Sequence, residues 1–96
     1  MDASAYSVVT TTHFDRMLKK LAPKHPDLVE RLEEAIAILS SDPQNKSQRH
    51  PIKKLKGVSA GEGQYRLRSG RFLFRYDIDE YDVVLLYCGL RREDTY

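Results

Sequence analysis

Nine of the sixteen basic side chains in this 96-residue sequence fall within residues 43–75. They are Lys46, Arg49, Lys53, Lys54, Lys56, Arg66, Arg68, Arg71 and Arg75, opposed only by Glu62, a local net charge of +8. The remaining residues carry seven basic and thirteen acidic groups, a net of −6, so the total of +2 hides a polarised molecule. Clustered ammonium and guanidinium groups are what recognition of a phosphate backbone, or of an acidic protein, requires. A solvated, salt-bridged surface is the plainer use of the same residues.

Other chemistries find little support. Cys88 is the single cysteine, which leaves no internal disulfide and no multi-cysteine metal site. Its apolar neighbours make it a core residue. No combination of His, Cys and carboxylate spacing suggests a metal, and no cofactor is expected. Gly57-Val-Ser-Ala-Gly61-Glu-Gly63 is glycine-rich, but it lacks a following Lys-Ser/Thr and precedes a strand, so it reads as a loop and not a phosphate cradle. His13 opens a helix, His25 lies between helices and His50 sits in the irregular basic connection, and all three are expected at the surface.

The elements that would carry the basic groups can be read from periodicity. Tyr6-Ser-Val-Val-Thr-Thr-Thr12 is β-branched and short, a first strand. Thr12 followed by Asp15 predicts a capping box, after which Phe14, Met17, Leu18 and Leu21 share a helical face until Pro23. A second helix opens near Pro26, with Asp27 and Glu30 at the positive end of its dipole. Leu28, Val29, Leu32, Ala35, Ile36 and Leu39 form its apolar stripe, and Ser40-Ser41-Asp42-Pro43 ends it. Residues 43–63 form an extended basic connection, anchored by Ile52 and Leu55.

Gln64 to Arg68 alternates, placing Tyr65 and Leu67 on one face and Arg66 and Arg68 on the other. After a turn at Ser69-Gly70, Phe72, Phe74, Tyr76 and Ile78 face one side while Arg71, Leu73, Arg75 and Asp77 face the other. Val83 to Cys88 is apolar on both faces, as in a central strand. Tyr65, Tyr76, Tyr81 and Tyr87 are expected mostly to pack the sheet. The expected fold is α+β, in the order β-α-α-β-β-β, with a helical hairpin on one face of a small, mainly antiparallel sheet. Residues 1–96 form one domain, consistent with this length and with 41% hydrophobic and 31% charged residues. No apolar run reaches the ~18 residues of a membrane span, and the start has no basic n-region or long apolar core. A cytoplasmic location is therefore expected.

With that order in place, the sequence resembles toxins of the RelE/ParE superfamily, from toxin–antitoxin pairs. The resemblance rests on Lys54-Leu55-Lys56-Gly57, Tyr65-Arg-Leu-Arg-Ser-Gly70, Phe72 through Tyr76, and Gly89-Leu-Arg-Arg92 with Tyr96 beyond. It implies a small toxin neutralised by a bound antitoxin. RelE-like toxins cut mRNA in the ribosomal A site, whereas ParE-like toxins poison DNA gyrase. The resemblance further implies that Arg66, Arg91 and Tyr96 are catalytic, with Arg66 and Arg68 holding phosphate, Arg91 stabilising the transition state and Tyr96 over a base or in proton transfer. Lys53, Lys54, Lys56, Arg71, Arg75 and Arg92 would add phosphate contacts. Oriented guanidinium groups suit developing phosphate charge, and the ribosome would supply positioning.

Two positions depart from the family pattern. Leu73 stands where an arginine commonly follows the aromatic residue, and Leu90 where many relatives have His or Lys before the arginine. Arg71 and Arg75, either side of Leu73, are candidates to reach the vacated space. The departures leave room for a gyrase inhibitor that catalyses nothing, or for a toxin-like binding module.

Overall fold

The computed structural model describes residues 5–91. The β-branched segment Ser7–Thr10 forms β1, and the chain turns directly into α1, Thr12–Leu21. Its N-cap is Thr11, one residue before the expected position: Thr11 Oγ1 accepts the Phe14 N–H at 3.1 Å, satisfying an otherwise orphaned donor. The same hydroxyl donates to the Leu85 carbonyl at 3.1 Å, and the Thr11 N–H donates to it at 3.2 Å. One threonine thus starts the helix and fixes it to the sheet.

The second helix, α2, spans Leu28–Ser41. Leu28, Leu32, Ala35 and Leu39 recur every three to four residues and are buried. Val29 and Ile36, assigned to the same stripe by sequence, turn outward and are exposed. They lie at the margins of a stripe narrower than the run of apolar residues suggested. Together with Phe14, the four α2 residues pack on Leu67, Phe72, Phe74, Tyr76, Val83, Leu85 and Cys88 of the sheet.

Five strands make that sheet, one more than expected. Ile52–Lys54, within the basic connection, is a three-residue strand, β2, paired antiparallel to Tyr65–Ser69, β3. Its brevity and its lysines hide it from pattern reading, and both are usual in an edge strand. Phe72–Asp79 is β4 and Asp82–Leu90 is β5. The order is β1-β5-β4-β3-β2, antiparallel throughout except that β1 runs parallel to β5.

An irregularity in β5 decides which side chains reach the open face. Arg75 faces Tyr87 but Tyr76 faces Leu85, so Leu86 is an extra residue on β5. Past this bulge the side-chain parity inverts. Val83, Leu85 and Cys88 face the helices, and Val84, Tyr87 and Gly89 face away. The apolar character read on both faces of this strand is one buried face shifted by a residue.

Candidate functional site

β1 pairs with β5 only as far as Leu85, and α1 packs along β5 beyond that point. The two elements wall a cleft of about 770 Å³ that opens onto the sheet face opposite α2. Its floor comes from adjacent strands. Register sets Lys53, Arg66, Arg75 and Tyr87 in one row across β2, β3, β4 and β5, and Arg68, Leu73 and Gly89 in the next. Arg66, Leu73, Arg75, Tyr87 and Gly89 line the cleft, with Leu55 and Leu90 at its ends. The α1 wall presents His13, Met17, Lys20 and Leu21. A nonpolar base with cations along its sides can hold a flat apolar group beside an anionic one.

The predicted site residues divide between two surfaces. Arg66 is half-buried in the cleft, and Lys53 and Arg68 stand exposed on the same face beside it. Arg75 also lines the cleft, but its guanidinium is engaged. Nε and one Nη donate to the Gly63 carbonyl at 3.2 and 2.9 Å, and that Nη also reaches the Glu62 carbonyl at 2.9 Å. Lys54 faces the opposite way, its Nζ 5.6 Å from the centre of the Tyr65 ring. Lys56 is exposed in the turn after β2.

Arg71 lies on the helix side, outside the cleft. Its guanidinium is 3.5 Å from Asp27 at the start of α2 and 5.8 Å from the Phe72 ring centre. Arg91 is exposed just past β5, where its N–H donates to the Arg71 carbonyl at 2.6 Å. Arg92 and Tyr96 lie outside the described residues.

Asp77 shapes the cleft from beneath. Buried at the open-face end of β4, its carboxylate accepts the Gly61 N–H at 2.6 Å, the Gly63 N–H at 3.3 Å and the Gln64 N–H at 2.8 Å. Asp77 and Arg75, two residues apart on one strand face, thus grip the donors and the acceptors of the same glycine-rich loop. That loop runs directly into Tyr65 and Arg66. The sequence reading of it as a loop holds.

Three side chains reach the cleft that the sequence did not assign to a site: His13, expected only at the surface, Lys20, and Tyr87, expected to pack the sheet. His13 and Lys20 flank Met17 at helical spacing, i, i+4 and i+7, a stripe next to the core face of α1. Tyr87 arrives through the bulge: strict alternation would put it with Val83 and Leu85. A β-carbon on Gly89 would collide with the Tyr87 hydroxyl, so this glycine makes room for the tyrosine to lie along the cleft. Cys88 touches the cleft too, but burial pushes its thiol up to about 11, which leaves it a poor nucleophile near neutral pH.

A chain of the RelBE2 toxin–antitoxin complex from Mycobacterium tuberculosis is similar to this one, at 30% sequence identity and a TM-score of 0.67. The match covers 91% of this chain and 99% of that one. The protein belongs to the RelE/ParE superfamily of toxins. No family model matches the sequence, and no curated protein does. Within the superfamily fold, Leu73 is 8% exposed on the cleft floor between Arg68 and Gly89, so the departure from the family pattern falls inside the cleft. No helix among the described residues is long and apolar enough to cross a membrane.

Proposed function

We propose that the protein is a ribosome-dependent mRNA endoribonuclease, a cytoplasmic toxin held inactive by a cognate antitoxin. The observation that carries this reading is the convergence of Arg66, Arg75 and Lys20 on one cleft, flanked on the same sheet face by Lys53 and Arg68. Phosphate backbone would track along this face, with Arg66 against the scissile phosphate. Arg91 would stabilise charge on the transition state, with Arg92 as a further phosphate contact and Tyr96 over a base or in proton transfer. The chemistry needs no metal: 2′-OH attack on the adjacent phosphate is promoted by charge stabilisation and alignment. An antitoxin with an acidic binding segment would cover the same basic face.

Two observations favour a second reading. Leu73 occupies the floor without a charge, and Arg75 is tied to backbone carbonyls, which suits a gyrase inhibitor that only binds. Induced expression of the toxin separates the two. Immediate arrest of protein synthesis, lost with Arg66→Ala, supports the nuclease; filamentation and DNA damage with translation intact would replace it by the gyrase reading.

A further inference from the structure

We propose that His13 is a catalytic base of this toxin, supplied to the sheet from α1. The inference rests on the nuclease reading and completes it. Cleavage of RNA through its own 2′-OH needs a group that takes a proton near neutral pH, and imidazole is the side chain best suited. Among the described residues, the cleft lining contains no carboxylate. The titratable and charged groups that share it with His13 are Lys20 on the same helix, Arg66 on β3, Arg75 on β4, and Tyr87 and Cys88 on β5. Lysine and arginine side chains offer donors only and burial pushes the Cys88 thiol up, so the imidazole of His13 is the proton acceptor this wall supplies among the described residues.

Its position is well determined. The neighbouring Phe14 is fully buried, and Thr11 bonds both the helix N-terminus and the Leu85 carbonyl. The first turn of α1 is thereby fixed in height and rotation against β5, with His13 exposed on the cleft wall opposite the arginines. Fixed backbone and a free imidazole are what a proton-transfer group requires.

The step balances without a co-reactant beyond water. The His13 imidazole removes the 2′-OH proton as the 2′-oxygen bonds to phosphorus. The phosphorus–O5′ bond breaks, its electron pair leaves on the 5′-oxygen, and water protonates that oxygen. The imidazolium then returns its proton to solvent. The products are a 2′,3′-cyclic phosphate and a 5′-hydroxyl.

The test is single-turnover cleavage on programmed ribosomes across pH 5.5 to 8.5, with wild type, His13→Ala and His13→Gln, each checked for an unchanged melting temperature. The expected result is a fall of roughly 10²–10⁴-fold in the cleavage rate, unaltered ribosome affinity, loss of the rise in rate across the imidazole range, and partial rescue of His13→Ala by added imidazole. Variants that cleave within about threefold of wild type, or that lose only affinity with the pH profile intact, overturn the role of His13 and leave the nuclease standing. Wild-type protein that cuts no ribosome-bound mRNA overturns the nuclease reading, and this inference with it.

Discussion

Removing the Asp77 carboxylate should loosen the glycine-rich loop that sets Arg66. Hydrogen bonds to a charged acceptor contribute roughly 1.5–3 kcal/mol each. Two of the three at Asp77 are short, 2.6 and 2.8 Å, but Gly61 is exposed and water can replace part of its bond. The third donor, Gly63 N–H, is buried, and stranding it adds about 1 kcal/mol. Taking the lower end for the short pair, Asp77→Ala should cost about 3–4 kcal/mol, a large share of the ~5–15 kcal/mol typical of a folded domain. Equilibrium urea unfolding measures this as a lowered midpoint at unchanged slope. For a domain of this size the melting temperature should fall by roughly 12–25 °C.

Asp77→Asn keeps one acceptor oxygen but turns an amide NH₂ toward backbone donors, and should recover little. Arg75→Ala releases the carbonyls of the same loop, so the double variant should depart from additivity by about 0.5–3 kcal/mol. A loss below about 1 kcal/mol for Asp77→Ala, or strict additivity with Arg75→Ala, would refute the reasoning that these two side chains hold one loop.

Three further outcomes are expected. The Tyr76 hydroxyl donates to the Pro43 carbonyl at 2.6 Å in the interior, so Tyr76→Phe should cost about 1–2 kcal/mol in urea unfolding. The methyl added by Gly89→Ala would displace the exposed Tyr87 ring, which can swing outward, so the cost should stay at about 1 kcal/mol or below, and Tyr87→Ala in the same chain should restore most of it. Burial raises the Cys88 thiol from its ordinary 9.0 to about 11, so the folded state holds its proton more tightly than the unfolded state. Stability from this group is full below pH 9 and declines between pH 9 and 11; Cys88→Ala, compared with wild type in unfolding at pH 8 and pH 10.5, should flatten that decline.

The α+β class, the helical hairpin, β3 and β4 were legible because their apolar residues keep a clean period, and β5 because it is a continuous apolar run, although its bulge breaks the alternation. What escaped did so for local reasons. β2 is three residues long and basic, so it carries no pattern of its own. The helix cap shifted from Thr12 to Thr11 among three consecutive threonines, whose side chains offer the same oxygen. Val29 and Ile36 are apolar, but sit at the margins of the buried stripe.

The candidate site divides in the same way. Alternation placed Arg66 and Arg68 on the face away from Leu67, and the structure has them there. The same alternation put Arg71 on that face, whereas it precedes β4 and turns to Asp27. Arg75 is on the expected face, yet its donors go to Gly63 and Glu62, a pairing that only the folded loop creates. His13, Lys20 and Tyr87 depend on how α1 meets β5 and on a one-residue bulge, and neither has a signature in a single sequence.

The most direct test of the nuclease reading is to map mRNA 5′ ends after adding purified toxin to a defined message, with and without ribosomes, beside Arg66→Ala. Cuts at A-site codons that require ribosomes, and that fall by roughly 10²–10³-fold in the variant, are the expected result. Intact message and uninterrupted translation with folded wild-type protein would contradict it.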